Sequence, residues 1–279
     1  MKDKIVVVYF TTENNFELAD VSVSYFKKHS KNLKINIVSN RLPDGYVKKH
    51  DDVEYFDMGI NFDSSSKHFG ETMTSYLNNI NYDYILFLCD DYVLIDDVKE
   101  RDLEELIQYM ICGNIDYFGF DDMNPDATKM PEQTHKTSCK NRHSEQFIIR
   151  NSDHEYLYSV QPCIWKRETL LKILEKDISI HDLDNTIESL RNYNDIIALG
   201  TSLMSHMTYK NYIDIKNIDY FILSYVEIVR HGVFILPEND PHRDEEEVQV
   251  KVIRDIIRDR SITDNTLLLR LLHYTKKNY

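Results

Sequence analysis

Hydrophobic and polar positions along the first half of the chain follow two patterns in turn. Short, mostly apolar segments, typical of buried strands, occupy residues 4–10, 33–38, 53–56, 84–89 and 115–120, and the run at 84–89 is uninterrupted. Apolar residues recur at helical spacing over residues 16–29, 66–80 and 101–111. Strands that alternate with helices predict an α/β fold, in which a mostly parallel, Rossmann-like central sheet has helices on both faces and right-handed crossovers.

Signals in the second half of the chain are weaker. We expect residues 121–142, which are polar and contain two prolines, to form a flap near the substrate. A helix is predicted to begin near Arg167, and an acidic cluster at residues 177–184 is placed on a loop that opens a following helix. Two hairpins are predicted, one from residues 146–150 and 155–159 and one from residues 220–229 and 233–236.

The same patterns predict the domain organisation. Residues 1–238 contain all of the predicted strands and are assigned to one α/β domain with a small antiparallel hairpin section. Residues 239–279 show helical apolar stripes interleaved with charges, and they are predicted to form a helical C-terminal extension packed on that domain.

Composition narrows the classes of function. The 279 residues include 33 basic and 47 acidic side chains, a net charge of −14, which argues against nucleic acid as a partner. No apolar run approaches the roughly 20 residues that span a bilayer, and the chain does not open on a signal pattern, so a soluble, cytoplasmic protein is expected. The four cysteines form no Cys-x-x-Cys pair, which argues against a zinc site or a disulfide framework. Dinucleotide, P-loop and Gly-x-Ser-x-Gly motifs are missing as well.

One strand ends on two adjacent acids. The apolar run Tyr84–Cys89 stops at Asp90 and Asp91. Ligands of open α/β sheets bind just beyond the carboxyl ends of such strands, where carboxylates suit oxygen-ligated divalent cations and phosphorylated substrates. The alternative is that the pair forms an ordinary turn or helix cap, since Asp is common where strands end.

Polar residues also follow the first two predicted strands. Thr11 and Thr12 follow the first strand, and Ser39 and Asn40 follow the second. In a parallel sheet these side chains share an edge with the two acids, which makes a nucleotide pocket a reasonable hypothesis. Capping and turn roles remain the alternative for each of these residues.

With these features in place, the chain resembles a known family, the GT-A-fold glycosyltransferases that use nucleotide-sugar donors and occur in bacterial capsule clusters and large DNA viruses. The first matching passage is similar to the strand-plus-acid "DxD" site, and the second to a Ser-x-Gln-x-x-Ile-Trp-Lys/Arg segment before a helix. The third is similar to an acidic turn of the family. These passages are residues 85–94 (ILFLCDDYVL), 158–170 (YSVQPCIWKRETL) and 180–185 (IHDLDN), and the order of the features covers residues 4–236.

The resemblance implies a UDP- or GDP-type sugar donor, a glycan acceptor, and a role in polysaccharide biosynthesis. Thr11, Thr12, Asn40 and Asp90 are then expected to line the nucleotide site. Asp91 takes the position of the last DxD acid, which contacts Mn²⁺ or Mg²⁺ on the diphosphate. The sequence departs from the family at the first DxD position, which is Cys89. A single ligating carboxylate suffices where diphosphate oxygens and waters complete the coordination shell.

The resemblance also assigns roles in the second half of the chain. An inverting enzyme needs a carboxylate that accepts the proton of the acceptor hydroxyl, and Asp184 is preferred over Asp182 for this role. The alternative for Asp184 is an N-cap of the following helix. Trp165 and Gln161 are expected at the sugar or acceptor, where the indole would stack on the sugar. The alternative for Trp165 is a place in the core.

Two other functions remain open from the sequence. A sugar nucleotidyltransferase shares the fold class, but it ordinarily carries a Gly-rich, Lys/Arg-bearing loop after the first strand, and residues 11–14 lack one. A non-catalytic nucleotide-sugar or carbohydrate-binding scaffold keeps the pocket without turnover. The cysteine at the first DxD position is the best support for the scaffold.

Overall fold

A computed structural model of the chain describes residues 4–59, 69–94, 97–120, 147–150, 157–175, 178–184, 198–201 and 225–227. The helices are α1 (Phe16–His29), α2 (Phe69–Asn78), α3 (Glu100–Gly113), α4 (Arg167–Leu174) and α5 (Ile180–Asp184). The strands are β1 (Ile5–Thr11), β2 (Ile35–Ser39), β3 (Glu54–Asp57), β4 (Tyr84–Cys89), β5 (Tyr92–Leu94), β6 (Tyr117–Gly119), β7 (Phe147–Arg150), β8 (Cys163–Lys166), β9 (Ala198–Thr201) and β10 (Tyr225–Glu227). A 3₁₀ turn, Glu13–Asn15, precedes α1.

An eight-stranded sheet organises the fold, with the strand order β3-β2-β1-β4-β8-β6-β9-β7. Its first half, from β3 to β4, is parallel throughout. In its second half β8 is antiparallel to both of its neighbours, β9 is parallel to β6, and β7 is antiparallel to β9. Every residue of β1, β2 and β4 is buried, as expected for parallel strands covered on both faces. The predicted α/β class is therefore confirmed.

Side chains of β1 show how the helices are layered. Tyr9 packs edge-on against Phe26 of α1, with ring centroids 6.1 Å apart, and Phe10 packs in the same manner against Phe69 of α2 at 5.0 Å. Since successive side chains of a strand point to opposite faces, α1 and α2 cover opposite faces of the sheet. The doubly wound layering inferred from the sequence is present, and α4 packs beside α2.

The second half of the sheet differs from the predictions. β7 pairs with β9, and residues 157–159 are not in a strand, so the predicted hairpin of residues 146–159 is wrong. β8 was not predicted, because four residues are too few to show a period. The cluster at residues 177–184 includes the short helix α5 rather than only a loop.

Several predictions concern residues that are not described. The flap at residues 121–142 and the C-terminal extension at 239–279 lie outside the described residues, so the domain boundary stays a prediction. Within the second predicted hairpin, β10 pairs antiparallel with β5, and residues 233–236 lie outside the described part of the chain. None of the described helices has the length and apolar character needed to cross a membrane.

The cysteines depart in part from their sequence pattern, which argued against a disulfide framework. Cys89 and Cys163 are free and buried, as expected. Cys112, near the end of α3, is disulfide-bonded. Spacing along the chain gave no sign of this bond, because cysteines that are far apart in sequence can be neighbours in space.

Candidate functional site

The acid pair lies at the carboxyl end of β4, inside the protein. Asp90 is 1% exposed and Asp91 is 5% exposed. The Thr11 hydroxyl donates to Asp90 Oδ2 at 2.7 Å, and the Ser22 hydroxyl of α1 donates to the Asp90 carbonyl oxygen at 2.6 Å. Asp90 therefore links the ends of β1 and β4 to α1.

The strand register gathers the predicted polar residues at one edge. Phe10 is opposite Cys89, and Thr11 is opposite Ser39, so β1, β2 and β4 end at nearly the same level. Asn40 follows Ser39 directly, and Asp91 lies two residues after Cys89. The sequence placed these side chains along one edge, and the structure does the same. Their roles in binding stay predictions.

Asn40 and Thr12 behave differently from each other at this edge. Asn40 is 2% exposed, and its Oδ1 accepts a hydrogen bond from the backbone N–H of Glu13 at 3.1 Å. The amide thus fastens the 3₁₀ turn to the end of β2, as the turn-group alternative expects. Thr12 is the N-cap residue of that turn, yet its side chain makes no capping hydrogen bond. Capping therefore does not account for the Thr12 hydroxyl.

A turn before β8 approaches the same edge from the other side. Because β8 is antiparallel to β4, its beginning lies beside the end of β4. The Cys89 thiol donates to the carbonyl oxygen of Val160 at 3.6 Å, and the backbone N–H of Gln161 donates to the Ser159 hydroxyl at 3.0 Å. The half-buried Gln161 is thereby brought to the edge that carries the acids. Cys89 joins that turn to β4.

Trp165 occupies the core rather than the site. It is 1% exposed, and its ring lies 4.5 Å from that of Tyr117 and 5.1 Å from that of Tyr158, measured between centroids. Stacking on a sugar requires an exposed aromatic face. Trp165 is therefore a core residue, and the expectation that its indole stacks on the sugar is wrong.

The acidic turn lies near the same edge. The backbone N–H of Gly70 donates to the Ile178 carbonyl oxygen at 3.2 Å, just before α5, and the neighbouring Phe69 packs on Phe10 near the end of β1. Residues 178–184 thus lie beside the N-terminal end of α2, at the level of the strand ends. Asp184 is the last residue of α5, and the position of its side chain is outside what the structure describes.

Asp182 takes part in a capping box. The backbone N–H of Ser179 donates to Asp182 Oδ2 at 2.9 Å, and the backbone N–H of Asp182 donates to the Ser179 hydroxyl at 3.1 Å. This reciprocal pair satisfies two donors at the start of α5. Asp182 therefore has a structural role that the sequence analysis did not assign to it.

The carboxylates of the described residues bear on which kind of metal site this edge can form. Within the described residues, no group of three or more His, Cys, Asp or Glu side chains is placed to hold a metal ion. A resident ion needs such a group, whereas an ion that arrives on a diphosphate needs few protein ligands. Asp91 fits the second kind of site.

Two polar contacts at the site were not predicted from the sequence. Ser22 lies inside the amphipathic pattern of α1, where a serine reads as a solvated position. Asp20, two residues earlier on the same helix, is also buried. Neither residue carried a signal, because each depends on a partner that is distant in the sequence.

Comparisons with known proteins give only remote likenesses. No protein-family model matches the chain, and no curated protein matches it. The apo-form glycosyltransferase GlyE of Streptococcus pneumoniae TIGR4 has a TM-score of 0.47 and 12% identity, over 98% of this chain and 64% of that chain. This chain thus spans less than two thirds of the length of GlyE.

Two further solved structures are similar at the same remote level. S. aureus TarS 1–349 in complex with UDP-GlcNAc gives a TM-score of 0.46 and 14% identity, over 98% of this chain and 73% of that one. The 4-diphosphocytidyl-2C-methyl-D-erythritol synthase of Anaerococcus prevotii gives 0.39 and 9%, over 72% and 88%. At these TM-scores and identities the likenesses carry no argument about activity.

Proposed function

We propose that this chain is a glycosyltransferase that moves a sugar from a UDP- or GDP-type donor to a hydroxyl group of a glycan acceptor. One observation carries the proposal. Two adjacent buried acids, Asp90 and Asp91, directly follow the central strand β4. Thr11 ends the neighbouring β1, and Asn40 follows β2, the next strand along, at the same edge. This is the edge at which open α/β sheets bind phosphorylated ligands.

Asp91 is proposed to hold Mn²⁺ or Mg²⁺ on the donor diphosphate. Asp91 follows Asp90 directly at the carboxyl end of β4, and it takes the position of the last acid of the DxD-like passage. When bound, such an ion stabilises the negative charge that develops on the leaving nucleoside diphosphate. Thr12, whose hydroxyl is not used as a cap, is proposed to face the nucleotide.

Asp184 is proposed to be the general base of an inverting transfer. The acceptor hydroxyl must lose a proton as its oxygen attacks the anomeric carbon, and a nearby carboxylate receives that proton. Asp182 is a weaker candidate, because its Oδ2 already accepts a hydrogen bond in the capping box. Gln161, on the turn beside Cys89, is proposed to contact the sugar or the acceptor.

Nucleotide binding by an Asp91→Ala variant tests the metal assignment. We expect the fold to persist and the Mn²⁺-dependent part of UDP or GDP affinity to fall at least about tenfold, since losing even outer-shell partners of a metal costs about 10–100-fold. Isothermal titration with and without Mn²⁺ measures this difference. Unchanged Mn²⁺-dependent affinity would contradict the assignment.

Asp116→Ala is a matched control for that experiment. Asp116 is also 5% exposed, but it precedes β6 at the opposite edge of the sheet, where it accepts a 2.6 Å hydrogen bond from Thr169. The control should lower stability and leave nucleotide affinity unchanged. An equal loss of affinity in both variants would mean that the effect is general destabilisation.

A non-catalytic scaffold is the second candidate, and one observation favours it. Cys89, at the first DxD position, is 6% exposed, and its thiol is hydrogen-bonded to the Val160 carbonyl oxygen. This residue therefore packs at the end of β4, where the family carries an acid. Slow hydrolysis of a nucleotide-sugar donor separates the candidates, because an enzyme hydrolyses some donor in the absence of acceptor. Donor binding without any hydrolysis, for every donor tried, would favour the scaffold.

A further inference from the structure

A buried carboxylate on α1 is held by a segment that comes from elsewhere in the chain. Asp20 is 1% exposed. The Tyr46 hydroxyl lies 2.8 Å from both of its oxygens, the Tyr55 hydroxyl lies 3.4 Å from Oδ1, and the Lys49 ammonium lies 3.7 Å from Oδ2. A carboxylate that is buried away from water is costly unless hydrogen-bond donors or opposite charges surround it, as they do here. Burial raises the pKa of Asp20, and the hydrogen bond from Tyr46 and the charges of Lys49 and His50 oppose that rise.

Aromatic packing supports the same attachment. The ring of Phe16, the first residue of α1, lies 4.6 Å from that of Tyr46 and 6.1 Å from that of Tyr55, measured between centroids. His50 Nε2 lies 3.2 Å from the carbonyl oxygen of Asp20. Residues 41–55, which lead from β2 into β3, are therefore fastened along α1, because Ser24 and Lys27 also contact the segment. We call residues 41–55 the β2–β3 segment.

The β2–β3 segment borders the proposed nucleotide site. It begins after Asn40, whose side-chain oxygen accepts a hydrogen bond from the backbone N–H of Glu13 in the turn before α1. Tyr46 then packs on Phe16, which directly follows that turn. The segment thus forms the wall of the site on the side of β2. Asp20 itself lies about one helical turn farther along α1, behind this wall.

We propose that Asp20 is a positioning residue for nucleotide binding. Its carboxylate accepts a hydrogen bond from the Tyr46 hydroxyl and thereby keeps the β2–β3 segment in the conformation that contacts the nucleotide. This inference rests on the proposed function. Asp20 does not touch the reacting atoms, so its loss should weaken nucleotide binding and leave the chemical step nearly unchanged.

The test uses three variants of this contact. Asp20→Ala removes the acceptor, Tyr46→Phe removes the donor and keeps the ring, and Asp20→Asn keeps one acceptor oxygen. A hydrogen bond to a charged group is worth roughly a tenfold change in an equilibrium constant. We therefore expect the Kd of UDP or GDP to rise about tenfold in the first two variants and less in Asp20→Asn. The kcat of donor hydrolysis should stay within about twofold in all three.

Tyr76→Phe is the matched control. Tyr76 is a buried tyrosine whose hydroxyl, like that of the partly buried Tyr46, is hydrogen-bonded, since it accepts from Asn36 at 2.9 Å. It lies on α2, on the other face of the sheet. The control removes a comparable hydroxyl and should not change the Kd. Hydrogen exchange of residues 41–53 provides a readout without ligand, and exchange should become faster in the Asp20 and Tyr46 variants alone.

The outcomes separate the two proposals. If the unmodified chain binds UDP or GDP and the Asp20 and Tyr46 variants bind as tightly as Tyr76→Phe, the positioning role is overturned while the proposed function stands. If the unmodified chain binds no nucleotide, the proposed function fails and the inference fails with it. Should Asp20→Ala not fold, Tyr46→Phe, which keeps the packed ring, decides the question.

Discussion

Replacing Cys89 with aspartate would restore the DxD pattern in sequence, yet we expect it to destabilise the protein. The Cys89 thiol is buried and donates to the carbonyl oxygen of Val160. An ionised carboxylate at this position cannot donate a hydrogen bond, so its oxygens would face the Val160 carbonyl oxygen, which can only accept one. It would also stand beside Asp90 and Asp91, which adds like charge to the strand tip.

The size of the effect follows from the burial of the site. A carboxyl group that is 6% exposed, as Cys89 is, typically has its pKa raised by about two to three units. Each unit corresponds to about 1.4 kcal/mol, so Cys89→Asp should lose about 3–4 kcal/mol at pH 7.5. A raised pKa means that this penalty is absent below the unfolded pKa of about 3.9 and is complete above the folded pKa. For a chain of this size the loss should lower Tm by at least about 6 °C.

Thermal unfolding at pH 4.5 and pH 7.5 provides the assay, with Cys89→Ser as the control. The serine hydroxyl can donate to Val160 as the thiol does, so this variant should lose much less stability and show little dependence on pH. The reasoning is refuted if Cys89→Asp is as stable as Cys89→Ser at pH 7.5. It is also refuted if Mn²⁺ restores the stability of Cys89→Asp, since residue 89 would then reach the metal.

Four further outcomes test other parts of the structure. Trp165→Ala should lose about 3–5 kcal/mol in chemical denaturation, as core tryptophans do, without changing the nucleotide affinity of the folded protein. Asp182→Ala should lose about 1 kcal/mol, because it removes one half of a capping box. Asp184→Asn should keep donor affinity and lower turnover by about 10²–10⁴-fold, and equal turnover would leave Asp184 with a structural role. Because the folded pKa of Asp20 is raised, its contribution to stability is largest below its ordinary pKa and is lost as the pH rises through the folded value. Urea unfolding from pH 4 to 8 should show this loss in the unmodified chain and not in Asp20→Asn.

The parallel half of the fold could be predicted from the sequence because its signals are local. The helical pattern over residues 16–29 has the same bounds as α1, and the uninterrupted run at residues 84–89 has the same bounds as β4. Strands covered on both faces are apolar at nearly every position, and a long amphipathic helix shows its period clearly. The shared edge of Thr11, Asn40 and Asp91 then follows from parallel topology alone.

The remainder depends on contacts between distant segments. The four residues of β8 show no period, and only their pairing with β4 and β6 makes them a strand. The pairing of β7 with β9 rather than with its neighbour in sequence is likewise set by tertiary packing. Nothing in the sequence around Asp20 indicates its burial, because its partner Tyr46 lies 26 residues away. Trp165 was compatible with two environments, and burial alone decides between them.

The change of direction at β4 explains why the candidate site has two different sides. β1 runs parallel to β4, so the end of β1 brings Thr11 to the acids. β8 runs antiparallel to β4, so the turn that precedes β8, with Val160 and Gln161, reaches them from the other side. The Cys89 thiol spans this junction. A shift of one residue in the pairing of β4 and β8 would turn the Cys89 side chain to the other face and break that contact. The stability of the Cys89 variants therefore reports on the junction between the two halves of the sheet as well as on a single side chain.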